Sequence, residues 1–195
     1  MRSAYPGYKA APAWLVLAPA LDQYASVWQA VHPLRTPDRM KASVLRRGLN
    51  LWPPFLFSGI HVAAISADYR HAHVELRMRP WNRNYVGTHF GGSLFAMTDP
   101  FWMLLAMQSL GREYWVWDKA GEIEFVKPGR GTVHADFRLT DAVLDELRAA
   151  TANGDKTLRW FDTDVIDGSG DVVARVRKQL YVRRKPAHRD TGEAE

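Results

Sequence analysis

Between Asn84 and Gly111 the sequence NYVGTHFGGSLFAMTDPFWMLLAMQSLG carries one charge, Asp99. A carboxylate inside a stretch that is apolar on every side must be desolvated, which raises its pKa unless hydrogen bonds compensate. Such a group suits a general base or a nucleophile that activates water. Seven residues earlier stands Gly92, the second of a glycine pair. A helix opening on Gly91-Gly92 offers unpaired backbone N–H groups, and without Cβ atoms a ligand oxygen can approach them, the outline of an oxyanion or phosphate site. Two helical turns separate Gly92 from Asp99, so both fall on nearly the same face. Two structural alternatives stand beside this reading. Glycines often precede helices for steric reasons, and Asp99-Pro100 also has the form of an N-cap followed by proline at the first helical position. In either case Pro100 leaves the Ala96 carbonyl without its usual partner and should kink or interrupt the helix.

Other chemistry is thinly represented. The absence of cysteine removes thiolate metal sites, disulfides and cysteine nucleophiles. No G-x-S-x-G surrounds Ser93, and phosphate-loop and dinucleotide fingerprints are missing. His71 and His73 share a strand face, yet the sequence offers no evident third ligand, so no metal is expected. The net charge of +5 and pI of 9.6 fit nucleic acid, an anionic membrane surface or a phosphate-bearing small ligand. Lys127 and Arg130, or Arg77, Arg79 and Arg83, could hold phosphates. Arg175, Arg177, Lys178, Arg183 and Arg184 read as a solvated strand face rather than a nucleic-acid track, because no stacking aromatics interleave. A membrane span is disfavoured, since Asp99 at mid-bilayer would cost roughly 3 kcal/mol. Pro12 and Pro19 argue against a signal peptide at Ala10 to Leu21, so a cytoplasmic location is expected.

The elements that must position these groups follow from periodicity. Leu21 to Val31 and about Thr36 to Leu49 have helical spacing, and Leu51 to Gly59, with paired prolines, reads as a non-helical connector. Strands are expected at Ile60 to Ala67 and at His71 to Arg79, where Ala72, Val74, Leu76 and Met78 face inward. The long apolar helix follows. Further strands are expected at Glu113 to Trp117, Gly121 to Lys127 and Thr132 to Leu139, with Lys127 to Gly131 as a hairpin turn. A helix from Asp141 to Ala152 precedes two strands, Thr157 to Ile166 and Val172 to Val182, joined by a hairpin at Asp167 to Gly170. Without βαβ repetition the class is α+β, with a mainly antiparallel sheet wrapped around the buried helix. Residues 1–50 form an N-terminal helical extension, 51–184 the main domain and 185–195 a loose tail.

Asn84-x-x-Gly87-Thr88-x-x-Gly91-Gly92 with Asp99, then Val116-Trp117-Asp118-Lys119 and Lys127-Pro128-Gly129-Arg130-Gly131, resemble hotdog-fold acyl-CoA thioesterases over roughly Leu51 to Val182. The resemblance is nearest to the phenylacetyl-CoA thioesterase-like branch, a group of tetrameric or uncharacterised acyl-CoA thioesterases. It implies a curved antiparallel sheet around a long central helix, a homodimer or homotetramer with site halves from both subunits, and an acyl-CoA substrate with no separate cofactor. It implies that the Gly92 N–H polarises the thioester carbonyl, that Asp99 activates water or attacks, and that Asn84 positions the acyl group or water. Many relatives place histidine directly before the glycine pair, where this chain has Phe90, with His89 one residue earlier. Gly91, Thr88, Phe90, Phe95, Ala96, Trp102 and Met103 are expected to line the acyl pocket, and Lys127 and Arg130 to meet the coenzyme phosphates. Neither nucleic acid nor membrane is an expected partner. The alternative is a non-catalytic acyl-CoA or lipid binder of the same fold.

Overall fold

The computed structural model describes residues 40–186, so the expected helix at Leu21 to Val31 lies outside the described residues. The elements in order are α1 (Ala42–Leu51), α2 (Pro53–Ser58), β1 (Ile60–Ile65), β2 (His71–Arg77), α3 (Gly91–Ala96), α4 (Phe101–Leu110), β3 (Tyr114–Phe125), β4 (Thr132–Arg138), α5 (Asp141–Ala150), β5 (Lys156–Asp167) and β6 (Val172–Arg184). The six strands make one antiparallel sheet in the order β1-β2-β4-β5-β6-β3. The class is α+β, and the sheet with its helix is the hotdog arrangement that the resemblance implies.

Strict alternation builds the core. Ala72, Val74 and Leu76 of β2, Val133, Ala135 and Phe137 of β4, and Val176, Leu180 and Val182 of β6 are all buried on one side of the sheet. Phe101, Leu105 and Ala106 of α4 are buried with them. No residue of α4 is exposed, as its all-round apolar sequence requires. Phe101 and Phe137 pack tilted, 5.0 Å between centroids, and Trp102 packs against both Phe137 and Phe161.

The structure corrects several sequence expectations. Residues 53–58 are helical although they begin with two prolines, because both stand in the first turn, where the missing N–H groups would have no partner anyway. Helix α1 starts at Ala42 and runs to Leu51 rather than ending at Leu49, and the Asn50 side chain ties it to β1 by bonding both Val62 N (2.7 Å) and Val62 O (3.0 Å). The two strands expected at 113–117 and 121–127 are one, β3, with a bulge between Asp118 and Ala120. Residues 127–131 are no hairpin. They carry the chain from β3 at one edge to β4 in mid-sheet, since among the described residues β3 pairs only with β6. The expected hairpin at Asp167 to Gly170 is present, closed by Gly170 N–H to Asp167 O at 3.0 Å.

Candidate active site around Asp99

The long apolar stretch is divided at the position Pro100 dictates. Helix α3 ends at Ala96, and α4 begins at Phe101 with Pro100 at its N-cap and no side-chain cap. Asp99 therefore does not cap the second helix. Its carboxylate instead accepts a short hydrogen bond from the Lys178 ammonium of β6. Half of the Asp99 side chain is exposed, whereas the Lys178 side chain is only 7% exposed. The Lys178 ammonium is also 3.6 Å from Asp118 Oδ2 of β3 and 5.0 Å from the Phe95 ring centroid.

These partners come from the core side of the sheet. Lys178 shares its parity in β6 with Val176, Leu180 and Val182, and Asp118 shares its parity in β3 with buried Val116. A lysine there cannot remain unpaired, and two carboxylates answer it. Gly121, cross-strand from Lys178, makes the space: a Cβ at Gly121 would stand 2.6 Å from the Phe95 ring and 3.2 Å from the Lys178 stem. Burial pushes the Asp118 carboxyl up to about 6, against the pull of the Lys178 ammonium and with the push of the Asp99 carboxylate. Asp118 Oδ1 is buried and meets no hydrogen-bond donor. The Asp99 carboxylate pushes the same way as burial, so Asp118 gives the cluster a place to keep one proton.

The glycine pair sits where α3 begins. Among the described residues neither Gly91 nor Gly92 donates its N–H to any acceptor. Phe125 packs over Gly91 and Phe90 over Gly92, so close that a Cβ at either would be 2.8 or 2.4 Å from a ring carbon. The loop before them is closed by Asn84. Its Oδ1 accepts from Val86 N (3.1 Å) and Thr88 N (2.9 Å), and its Nδ2 donates to Thr88 Oγ1 (2.7 Å) and His89 O (3.2 Å). Asn84 thus spends its hydrogen-bonding capacity on shaping the loop.

His89 is buried and faces the crossover. Its backbone N–H donates to Gly129 O at 3.0 Å and its Nε2 to Gly131 O at 2.8 Å, leaving Nδ1 buried with no partner. Burial lowers its pKa, against the Gly131 carbonyl, so the ring is neutral near pH 7. Trp102 points into the core, where its Nε1 donates to Thr163 Oγ1 at 2.8 Å. Thr88 is buried, and Phe95, Ala96 and Met103 are half-buried against the core. Lys127 is held by Asp167 and Asp171 at 2.7 and 2.6 Å, which raises its pKa. Arg130 is exposed and makes no ion pair among the described residues.

Sequence reading paired Gly92 with Asp99 but grouped Lys178 with the outward arginines of β6. The structure corrects that grouping: Arg175 and Arg177 face outward to Glu124, Asp164, Glu122 and Asp162, while Lys178 is inside. The signal was available, because period-2 alternation assigns position 178 to the face of Val176 and Leu180.

Residues 41–182 match the family model of DUF4442, a domain of unknown function. A comparison with curated proteins found no match. Among solved structures, the chain is similar to a Pseudomonas aeruginosa protein of unknown function named as a probable thioesterase, at 18% identity and a TM-score of 0.67, covering 74% of this chain and 97% of that one. It is also similar to a thioesterase of Haemophilus influenzae, at 14% identity and a TM-score of 0.56, covering 78% and 96%. A mutant thioesterase of Pseudomonas aeruginosa aligns at 13% identity and a TM-score of 0.55, covering 77% and 97%. Among the described residues no helix is long and apolar enough to cross a membrane.

Proposed function

We propose that this chain, which belongs to the DUF4442 family, hydrolyses an acyl-CoA thioester. The observation that carries the reading is the Asp99 carboxylate, half exposed, held by a buried lysine and seven residues after a glycine N–H that no described residue uses. In this reading the thioester carbonyl oxygen lies at the Gly92 N–H, which stabilises the oxyanion as the carbonyl carbon becomes tetrahedral. Asp99 removes a proton from the attacking water and returns it to the departing thiolate, giving free acid and coenzyme thiol; or it attacks the carbon itself, expelling the thiolate, and water then cleaves the mixed anhydride, releasing the acid and the proton that the thiolate takes up. Lys178 fixes the carboxylate's position, and Asn84 acts by folding the loop that presents the glycines. The hotdog fold, shared with solved structures named as thioesterases, supports this reading.

Of Lys127 and Arg130, Arg130 is the one that meets a coenzyme phosphate, since Lys127 is already committed to Asp167 and Asp171 whereas Arg130 makes no ion pair among the described residues. The protein works as at least a homodimer. In support of this, β3 is a twelve-residue strand whose outer edge pairs with no strand among the described residues, and Phe125 within it and Val126 after it are exposed, as are Phe90, Tyr85 and Val86. No nucleic acid is needed as a partner, because the outward arginines of β6 are met by acidic neighbours.

Release of free thiol from a panel of acyl-CoA esters, followed with a thiol-reactive dye, tests the reaction. Wild type should turn over at least one ester, and Asp99→Asn should lose most of that rate while keeping its fold. Equal turnover in the variant overturns the assignment. A second reading, an acyl-CoA binder without hydrolysis, is favoured by one observation: His89 is turned onto Gly131 rather than toward Gly92. It predicts saturable binding of the ester with no thiol release.

A further inference from the structure

The geometry points to a second site on this chain, separate from the Asp99 cluster: a divalent transition-metal site of the zinc class, formed by His73, Glu75 and His134 on the outer face of the sheet. This inference does not rest on the thioesterase reading.

Strands β2 and β4 pair so that Glu75 stands opposite His134 and His73 opposite Asp136. The intervening residues Ala72, Val74, Leu76, Val133, Ala135 and Phe137 fill the core, which turns the polar set to the side away from α4. One ligand atom from each of His73, Glu75 and His134 lies within 4.8 Å of the others. The two imidazoles are already stacked, with centroids 5.4 Å apart and 23° between planes. Small side-chain rotations would bring three donors to the roughly 2.0–2.2 Å that zinc requires, with water completing the shell. Two imidazoles and one carboxylate suit zinc, cobalt or nickel better than calcium or magnesium, which prefer oxygen sets.

Three further features single out this set from histidines that merely decorate a sheet. His73 Nδ1 lies 3.1 Å from Asp136 Oδ2; an Nδ1–H donated there leaves Nε2 as a bare lone pair, the arrangement that orients a metal-ligating histidine. Asp136 is anchored in turn by His71 Nε2 at 2.7 Å. His134 Nδ1 is buried and has no hydrogen-bond partner, a deficit that coordination through that nitrogen would remove. Arg77 takes only Oε2 of Glu75, by Nε at 2.8 Å and Nη2 at 2.7 Å, which leaves Oε1 for a cation. A metal here would join the two strands at mid-sheet, so its expected effect is on stability rather than on chemistry.

The test is calorimetric titration of the full chain, stripped with chelator, with Zn²⁺, together with the thermal midpoint with and without the ion. The expected result is one equivalent bound and a raised midpoint, with affinity reduced at least tenfold in His73→Ala and His134→Ala. Asp136→Asn, which removes the orienting partner, should weaken binding by roughly tenfold, and Asp99→Asn should bind as wild type does. Co²⁺ should give visible d–d absorption in the wild type that is lost in His134→Ala. Where an alanine variant fails to fold by circular dichroism, His73→Gln and His134→Gln take its place. Wild-type affinity in either histidine variant, or no binding by the unaltered chain, overturns the proposal.

Discussion

Replacing Asp118 with asparagine should remove a specific pH dependence from the stability of the fold. The ordinary value for this carboxyl is 3.8, and burial raises it to about 6 in the folded chain. Between those values the folded state holds a proton that the unfolded state has released, so stability falls as pH rises through this window and the penalty is complete above about pH 6. The shift amounts to about 3 kcal/mol in full, and roughly half of that falls between about pH 8 and about pH 5. His89 works the other way: burial lowers its pKa, so stability is lost as pH falls below its ordinary value of 6.5. Comparing wild type with Asp118→Asn cancels that contribution, because His89 is the same in both. The assay is urea unfolding of both proteins at the two pH values. Wild type should gain about 1–2 kcal/mol relative to the variant's own change on going from the higher to the lower pH. Parallel changes in the two proteins would show that Asp118 is not desolvated beside Asp99, and the proton-holding cluster would fall with it.

Lys178→Met should lose most thioester turnover and destabilise the chain by about 3–5 kcal/mol, because it leaves Asp118 and Asp99 facing each other without a cation; chemical denaturation alongside the thiol assay checks both. Gly121→Ala would place a methyl 2.6 Å from the Phe95 ring, and overpacking of this kind costs about 1–3 kcal/mol, read as a lower urea midpoint at unchanged slope. Asn84→Ala strands the Thr88 N–H and the His89 carbonyl, and should cost about 1–3 kcal/mol and slow turnover together, measured by melting and by thiol release. Arg130→Ala should raise the KM for acyl-CoA with little change in kcat, and an unchanged KM would remove Arg130 from the phosphate contact.

The strands were legible wherever one face is buried and the other wet. His71 to Arg77 and Thr132 to Arg138 alternate without exception, so their inward sets could be read directly. Pairing was not legible in the same way. Lys127 to Gly131 has the composition of a tight hairpin, but turn chemistry reports only how the backbone reverses locally, and here the chain crosses the sheet instead. Gly121 reads as a strand end for a similar reason. A glycine signals a missing side chain, and only the tertiary structure shows that the missing volume belongs to Phe95 and Lys178.

The candidate site divides along the same line. Gly92 and Asp99 lie only seven residues apart, Gly92 at the start of α3 and Asp99 in the turn that follows it, so sequence spacing alone relates them. Asp118 and Lys178 are joined to Asp99 only through the β3–β6 pairing, which brings distant segments to one point. The charge of Lys178 favoured solvent, although its parity with Val176 and Leu180 placed it inside. The balance reverses once inward charges occur as a complementary set. An isolated lysine at position 178 would be expelled or neutralised, whereas a lysine with carboxylates on two neighbouring elements can stay charged in the interior. That arrangement also explains why Asp99 can stand half exposed without drifting: a buried ammonium, itself fixed by β6 and the Phe95 ring, sets where the carboxylate points.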